Sequence, residues 1–385
     1  MTTKLNVLQV IPKLGYGGAE TGCYDIAHFL SENDCGSFLA TSGGELIKFI
    51  KKDKVRLIRL PVHSKNPILI LFNTLVLVIY IFLFKINIIH ARSRAPAWSC
   101  YFASLITRRS FVTTFHGTYN FKSNIKKFYN SIMLRAKLTI AGSNFIFSHI
   151  NENYSEYLSK EKKLRVIFRG INVDYFNPKN ISVLKQEKLK QEWDLSSNKF
   201  TILLPGRLTH WKGQEKFIES LNILIEDYNV INFQAVILGS DQGRKVYSKK
   251  LINLVQRYRL NKKIKFIQHC KEMPLAYSLA DVVVSASIEP EAFGRVSVEA
   301  QAMGKPIVAS NIGGSKETII NKTTGFLYKH DDPRELAKIL NTVIQLPMDE
   351  LKFMGIEGRK NVTKKFDVET MCQSNLKEYK RLIKN

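Results

Sequence analysis

The chain has 385 residues, of which 45% are hydrophobic, and a formal net charge of +25 at neutral pH. This length and apolar content exclude a largely disordered chain and predict two domains. The five cysteines are scattered, with no CxxC pair and no His/Cys cluster of metal spacing, which argues against a structural zinc site and predicts a reducing compartment. The amino terminus lacks a secretory apolar region, so the cytoplasm is the expected location.

The positive charge is concentrated in one stretch of the chain. From Lys54 to Asn151 there are fourteen Lys or Arg residues and no Asp or Glu. A surface of one sign attracts anions such as lipid headgroups, phosphates or nucleic acid. No nucleic-acid-binding motif of the usual kinds accompanies these residues, so nucleic acid is not an expected partner. A basic nucleic-acid-binding protein and a generally basic proteome stay as alternatives.

The first predicted strand, residues 5–11, leads into a glycine-rich loop and a helix at residues 21–30. Gly15, Gly17 and Gly18 in this loop allow the backbone to approach a ligand closely at the start of the helix. The spacing is not GxGxxG, so the dinucleotide-binding fingerprint is not supported.

Residues 67–84 form an unusual uncharged segment. As a helix this segment would be about 27 Å long, barely the thickness of the hydrocarbon core, so a transmembrane span is one interpretation. However, the next strand of the same sheet is predicted at residues 86–90. A helix that packs on the sheet and places its outer face in the membrane interface therefore fits better.

The rest of the first half continues the alternation of strands and loops. Residues 90–98 are predicted to form a loop in which Arg92 and Arg94 can reach an anion. A strand at residues 111–115 ends at His116, a position that faces the ligand crevice in an open α/β sheet, although a purely structural histidine is the alternative. Residues 121–135 are predicted to form a basic helix, residues 166–168 the last strand, and residues 169–178 a linker.

The second half begins with a predicted strand at residues 200–205. A loop follows, residues 206–213, and a helix begins at Gln214. Arg207 and Lys212 lie on this loop. Two fixed cations over a helix N-terminus suit a diphosphate whose charge grows as a bond breaks, whereas a solvated basic loop is the alternative.

A predicted strand at residues 281–285 leads into a loop and a second apolar helix. Glu291 lies on the loop and Glu299 within the helix, with seven residues between them. Along a helix this spacing is about 12 Å, so the two carboxylates can hold the two ends of one extended ligand such as a sugar and a ribose. Two surface glutamates on an ordinary helix are the alternative.

This stretch resembles the signature of the retaining nucleotide-sugar glycosyltransferases of family 4, in which two glutamates flank seven residues and Phe-Gly follows the first, here Phe293 and Gly294. The Gly-Gly-Ala-Glu loop at residues 17–20, the linker at residues 170–178 and the Gly-Arg-x-x-x-x-Lys-Gly loop match the family in chain order. The resemblance implies an α/β GT-B fold with two doubly wound Rossmann-like domains facing a cleft. The expected domains are residues 1–178, joined by a closing helix at residues 367–385, and residues 179–366.

The resemblance also implies roles for individual residues. It implies that the donor is bound by Gly206, Arg207, Lys212, Glu291, Phe293, Gly294, Arg295 and Glu299. The acceptor side would consist of Gly17, Gly18, His116 and Gly117. The expected catalytic residues are Arg207 and Lys212, which would neutralise the leaving diphosphate, together with Glu291 at the donor sugar and His116. Glu299 would accept hydrogen bonds from the ribose.

The expected activity is transfer of a sugar, with retention of configuration, from a nucleotide-diphosphate sugar to a lipid-linked or lipopolysaccharide-core acceptor. No metal or other cofactor is expected, because there is no Asp-x-Asp motif and fixed cations replace a divalent ion. The basic, apolar first half predicts a peripheral position on an anionic membrane, at the inner face of the cytoplasmic membrane. A glycosyl phosphorylase or nucleotide-sugar epimerase on the same scaffold stays as an alternative.

Overall fold

The computed structural model describes residues 4–158 and 163–384 and divides the chain into two compact units. The first unit contains residues 1–170 and 368–385, and the second contains residues 171–367. Residues 171–178 thus lie in the second unit rather than in the expected first domain. Ile171 forms a β-bridge with Asp367, and the guanidinium of Arg359 donates to the carbonyl oxygens of Val173 and Phe176. These bonds explain why the boundary between the two units lies before Ile171.

The first unit is built on a seven-stranded sheet in which all pairs are parallel, in the order β3-β2-β1-β4-β5-β6-β7. The strands are β1 (Asn6–Val10), β2 (Gly36–Thr41), β3 (Val55–Arg59), β4 (Ile88–Ala91), β5 (Ser110–Phe115), β6 (Leu138–Ala141) and β7 (Lys163–Val166). Every residue of β4, β5 and β6 is buried, as expected when helices cover both faces of a parallel sheet. The last strand ends at Val166, where the predicted strand began, so that boundary was wrong.

The α-helices of the first unit are α1 (Gly18–Glu32), α2 (Pro67–Leu83), α3 (Arg94–Thr107), α4 (Asn124–Ser131), α5 (Asn144–Tyr154) and the closing helix α14 (Val368–Lys384). Short 3-10 turns are at Glu45–Phe49, Ile132–Leu134 and Ser155–Tyr157. Helix α14 completes the core over α1, where Leu376 and Tyr379 share one cluster with Ile26 and Leu30. The predicted loop at residues 90–98 is shorter than expected, because β4 continues to Ala91 and α3 begins at Arg94.

The predicted helix in the uncharged segment is confirmed as α2. Asn66 caps it, because its side chain accepts a hydrogen bond of 2.9 Å from the amide of Ile68. The inner face of α2 buries Leu77 and Ile81, and α2 packs along α3. Among the helices of residues 4–158 and 163–384, none has both the length and the apolar character needed to cross a membrane.

The second unit repeats the architecture with a six-stranded parallel sheet in the order β10-β9-β8-β11-β12-β13. Its strands are β8 (Phe200–Pro205), β9 (Phe233–Leu238), β10 (Ile264–Ile267), β11 (Val282–Ser285), β12 (Ile307–Ser310) and β13 (Gly325–Tyr328). Its α-helices are α6 (Val183–Glu192), α7 (Gln214–Glu226), α8 (Lys245–Arg257), α9 (Met273–Ser278), α10 (Arg295–Ala302), α11 (Ser315–Thr318), α12 (Pro333–Gln345) and α13 (Met348–Lys365), with 3-10 turns at Pro178–Asn180 and His210–Lys212.

Candidate active site

The strand order of the second unit fixes where a ligand can bind. Strands β9 and β10 lie in order on one side of β8, whereas β11, the next strand along the chain, lies on the other side of β8. In open α/β sheets the crevice for a ligand opens at such a reversal, beyond the carboxyl ends of the strands. The loop with Arg207 and Lys212 follows β8, and the loop with Glu291 follows β11. The two predicted halves of the donor site are therefore neighbours.

Lys212 and Glu291 form an ion pair at this crevice. The ammonium of Lys212 lies 2.7 Å from Oε1 of Glu291, and the two side chains are only 13% and 9% exposed. The hydroxyl of Ser287 donates to the same oxygen over 2.5 Å. Burial by itself raises the pKa of Glu291, but the charge and hydrogen bond of Lys212 and the bond from Ser287 outweigh it, so the pKa is lowered. Glu291 is therefore an ionised hydrogen-bond acceptor at neutral pH.

Glu299 is buried on α10 and also has two fixed partners. The hydroxyl of Tyr277 donates to its Oε2 over 2.8 Å, and Nε of Arg295 donates to its Oε1 over 2.5 Å. Burial raises the pKa of Tyr277 well above its usual value, and the nearby Glu299 raises it further. The phenol thus stays protonated and works as a donor, which holds the carboxylate of Glu299 in place.

A pocket of about 290 Å³ opens beside Glu299 and Tyr277. Arg207 and Glu299 both line it, with Pro205, Gly206, Leu238, Gly239, Ser240, Gln268, His269, Cys270, Met273, Tyr277 and Val296. The charge of Arg207 also contributes to the lowered pKa of Glu291. The structure thus brings Arg207, Lys212, Glu291 and Glu299 to one place on the second unit.

The turn before α10 depends on a glycine. Gly294 has φ = +84° and takes the N-cap position, and a Cβ atom there would lie 2.8 Å from the Cα of Ser315. The preceding Phe293 is 4% exposed and packs edge-on against Phe366, with ring centroids 5.6 Å apart. The structure therefore gives Phe293 a packing role, and the N-terminus of α10, a position that favours anions, follows directly after it.

Substitution of Gly294 should reveal this constraint. We expect Gly294→Ala to lower the free energy of unfolding of the second unit by about 2–4 kcal/mol, from the left-handed backbone and the contact with Ser315 combined. Gly243→Ala is the matched control, because Gly243 has φ = +83° but a Cβ there would meet no described atom within 4 Å. Urea denaturation compares the two variants. Equal losses would show that the close approach to Ser315 has no energetic weight.

The residues predicted for the acceptor side follow the carboxyl ends of β1 and β5 in the first unit. Gly17 is the N-cap of α1, and a Cβ at Gly18 would lie 3.0 Å from the guanidinium of Arg169. His116 follows β5 directly. Its two ring nitrogens are shielded from solvent and have no hydrogen-bond partner among the described residues. Gly117 next to it borders open space.

Burial lowers the pKa of His116 well below its usual value, and the positive charges of Arg169 and Arg92 lower it further. The imidazole is therefore neutral at physiological pH. A neutral ring can donate one hydrogen bond and accept one, and neither nitrogen does so with another described residue.

His116 should make the first unit sensitive to acid. Below the usual histidine pKa of 6.5 the unfolded chain takes up a proton that the folded chain does not, so stability present above that pH is lost as the pH falls. In His116→Asn we expect this loss to shrink by up to about 1.4 kcal/mol per pH unit. Urea unfolding between neutral and mildly acidic pH measures it, with His63→Asn, an exposed histidine, as control. An unchanged pH slope in His116→Asn would contradict this assignment.

Sequence reasoning missed three residues that the structure places at these sites: Ser287, Tyr277 and Arg169. Tyr277 lies on α9 and meets Glu299 from another part of the chain, 22 positions earlier, so no local spacing could indicate it. Ser287 lies four residues before Glu291 in the same loop, which could have suggested a local hydrogen bond. Arg169 was placed in the linker, although it follows directly after a strand region where ligand-binding residues concentrate.

Two family descriptions match the chain, one on each half. Residues 16–175 match Glycosyltransferase Family 4, and residues 185–361 match Glycosyl transferases group 1. Over its full length the chain is 37% identical to a glycosyltransferase from Rickettsia africae ESF-5, whose crystal structure superimposes with a TM-score of 0.91 and 100% coverage of both chains. The chain belongs to the glycosyltransferase family. The expected pair of Rossmann-like α/β domains of the GT-B type is thereby confirmed.

More distant relatives of this glycosyltransferase share its fold or part of its sequence. HepE of Anabaena, solved in complex with UDP-glucose, is 23% identical with a TM-score of 0.82, covering 98% of this chain and 100% of HepE. The capsular polysaccharide biosynthesis glycosyltransferase CapM of Staphylococcus aureus is 29% identical over 237 residues, 57% of this chain and 58% of CapM. Spore coat protein SA of Bacillus subtilis is 26% identical over 236 residues, 59% of this chain and 61% of that protein. The match thus spans about three-fifths of these curated relatives.

Among the described residues, no group of three or more His, Cys, Asp or Glu side chains is arranged to hold a metal ion.

Proposed function

We propose that this glycosyltransferase transfers a sugar, with retention of configuration, from a nucleotide-diphosphate sugar to a lipid-linked or lipopolysaccharide-core acceptor. The observation that carries the proposal is the Lys212–Glu291 ion pair beside the pocket of Arg207 and Glu299. The pair and the pocket bring two cations and two carboxylates together at the topological switch point of a Rossmann-like unit, which supports a site for a nucleotide-diphosphate ligand.

The donor nucleotide is proposed to lie in the 290 Å³ pocket. Glu299, fixed by Tyr277 and Arg295, would accept hydrogen bonds from the ribose hydroxyl groups. The base would lie against the loop after β10, of which Gln268, His269 and Cys270 line the pocket. HepE was solved with UDP-glucose, which makes UDP-glucose a suitable first donor to test.

The leaving diphosphate is proposed to meet Arg207, Lys212 and the amide groups at the start of α10. The negative charge on the diphosphate increases as the bond to the sugar breaks, so cations fixed in advance stabilise the transition state more than the ground state. In other enzymes a divalent metal ion stabilises this negative charge. We propose that the present reaction needs no metal ion. An ammonium has three N–H donors, so Lys212 can keep its bond to Glu291 while it binds a phosphate oxygen.

Glu291 is proposed to bind hydroxyl groups of the donor sugar. Its lowered pKa keeps it ionised, so it can only accept hydrogen bonds, and it would orient the sugar against the diphosphate. Retention would follow if the acceptor attacks on the face that the diphosphate leaves. This part rests on the resemblance to the retaining family.

The acceptor is proposed to bind to the first unit at Gly17, Gly18, His116 and Gly117. The unpartnered ring nitrogens of His116 support this, because a buried polar group without a partner is costly unless a ligand satisfies it. A neutral His116 can accept a hydrogen bond from an attacking hydroxyl group and so help to orient it.

A peripheral position on the inner face of the cytoplasmic membrane is part of the proposal. The outer face of α2 exposes Ile68, Leu71, Phe72, Leu75, Ile79, Phe82 and Leu83, and the neighbouring α3 exposes Phe102, Leu105 and Ile106. Exposed Arg108 and Arg109 follow α3, and exposed Lys65 and Lys85 flank α2. An apolar face bordered by cations is what binding to an anionic lipid surface requires.

A donor panel tests the proposed activity. We expect one of the UDP-, GDP- or ADP-sugars to raise the melting temperature by several degrees at saturation, because ligand binding stabilises the folded state. NMR of the product should show the anomeric configuration of the donor, and EDTA should leave the rate unchanged. Inversion would refute retention, strong inhibition by EDTA would refute metal independence, and a product formed from phosphate without an acceptor would indicate a phosphorylase.

A further inference from the structure

The second unit contains another pocket, of about 640 Å³, beside the second half of the Arg207–Lys212 loop. It is lined by residues at the end of this loop and around the start of α8: Thr209, His210, Trp211, Gly243, Arg244, Lys245, Val246, Tyr247 and Lys250. It shares no lining residue with the 290 Å³ pocket. Its volume is in the range of about 300–1,000 Å³ that is typical of small-molecule sites.

Thr209 is a buried polar residue in the lining of this pocket. The residue is 6% exposed, and its hydroxyl oxygen has no hydrogen-bond partner in the described part of the chain. An unsatisfied buried hydroxyl group costs about 1–3 kcal/mol, and a ligand hydroxyl group could recover this energy. Thr209 also precedes the 3-10 turn His210–Lys212, so it is fixed in position by the loop that bears Lys212.

The start of α8 gives the pocket a positive end. Arg244 takes the N-cap position and offers no side-chain acceptor to the first amide groups of this 13-residue helix. Lys245 follows at its first position. Nη1 of Arg244 donates to the carbonyl of Asp241 and to Gln242, which orients the guanidinium at the helix start. Lys250 pairs with Glu215 at 2.5 Å, so the cations offered to a ligand are Arg244 and Lys245. Amide groups and cations together favour an anion.

Aromatic rings form the other wall of the pocket. Trp211 and Tyr247 both line it, and the His210 ring is nearly parallel to that of Tyr247, with centroids 6.5 Å apart. Tyr247 is held in place by a hydrogen bond of 3.3 Å from its hydroxyl group to Gln214. Aromatic faces give a large and rigid apolar surface, which suits the C–H-rich face of a sugar ring.

We propose that this pocket is a second saccharide site, which binds a sugar that bears a carboxylate or phosphate. The sugar ring packs on Trp211 and Tyr247, one of its hydroxyl groups bonds to Thr209, and its acidic group meets Arg244 and Lys245 at the start of α8. The site goes beyond the proposed function, because none of the proposed donor or acceptor residues lines it.

The pocket also contacts the loop that carries Lys212 through the ring of Trp211. The ammonium of Lys212 lies 4.5 Å from the centroid of the Trp211 ring, so the ring that lines the saccharide site also holds the cation of the donor site. Trp211 thus contacts both the proposed saccharide site and Lys212.

Fluorine NMR of the full chain labelled with 5-fluorotryptophan tests the proposal. The chain has three tryptophans, and Trp211→Phe identifies the signal of Trp211. We expect this signal to shift saturably with glucuronic acid and glucose 6-phosphate, with or without saturating UDP. Arg244→Gln should weaken the binding of both sugars by about tenfold, because hydrogen bonds to charged groups are stronger than those between neutral groups. Lys249→Gln on the same helix should leave the affinity unchanged. Thr209→Val should weaken binding by about fivefold.

Any one of these results would overturn the proposal: no saturable shift with either acidic sugar, equal binding of inorganic phosphate alone, or equal binding by Arg244→Gln and Lys249→Gln. Equal binding of neutral glucose would overturn the assignment of an acidic ligand. The UDP arm separates this site from the donor site. If the sugars no longer bind in the presence of saturating UDP, they occupy the donor pocket and the second site is refuted. Failure of UDP itself to bind would count against the donor site alone.

Discussion

Lys212→Ala should lower the turnover of a nucleotide sugar by about a hundredfold or more, because it removes a cation that acts where charge develops in the transition state. The effect should be mainly on kcat, since the ribose and base contacts of the donor remain. Turnover is measured with the donor selected by the panel and is expressed per folded molecule. Lys216→Ala is the matched control, because Lys216 lies close by on α7 and is paired with Glu219 and Asp331 near the surface.

The same substitution leaves Glu291 buried without its main partner, which by itself could destabilise the second unit by about 3–5 kcal/mol. A double variant, Lys212→Ala with Glu291→Gln, removes the unpaired charge and should recover stability without recovering turnover. Turnover of Lys212→Ala at the wild-type rate would remove the leaving-group role of this residue. Recovery of turnover in the double variant would show that the pair is structural.

Replacing Phe72, Leu75 and Ile79 by serine should reduce binding to anionic vesicles by at least about tenfold. These side chains are 50–61% exposed on the outer face of α2, and each full transfer of such a side chain from water contributes about 1.5–3 kcal/mol. Vesicle flotation at low salt measures the effect. Val183→Ser with Leu184→Ser is the control, because these residues of α6 are 72% and 81% exposed in the second unit.

The cations around α2 and α3 make a separate contribution. Wild-type binding should weaken as salt rises, because exposed charges are screened beyond about 8 Å at physiological ionic strength. Equal flotation of the serine variant and wild type would show that α2 does not contact lipid. Failure of the wild type to float with anionic vesicles at low salt would refute the peripheral position altogether.

Much of the fold could be predicted because buried parallel strands leave a plain signal. Short apolar runs such as residues 200–205 and 281–285 became β8 and β11, and the loops after them carry residues that are predicted to bind the donor. Strand β12 was not identified, since its four apolar and small residues follow closely on the apolar helix that carries Glu299. Helix α13 was also missed, because its apolar face is interrupted by Gly355 and Gly358.

The side-chain contacts of the site could be predicted only in part. Lys212 and Glu291 are 79 positions apart, and they can pair only because β8 and β11 are neighbours in the sheet. The order of strands in the sheet could not be predicted from local sequence patterns. The motif resemblance nevertheless selected both residues. The bond from Tyr277 to Glu299 and the pocket at Thr209 result from packing between elements distant in sequence. Such contacts follow from the three-dimensional arrangement and leave no local pattern.

The most direct test of the central claim is a crystal structure with the nucleotide diphosphate of the donor that the panel selects. We expect the diphosphate to contact Arg207 and Lys212 and the ribose hydroxyl groups to lie within hydrogen-bond distance of Glu299. A nucleotide bound away from these three side chains would contradict the proposed donor site and with it the proposed mechanism.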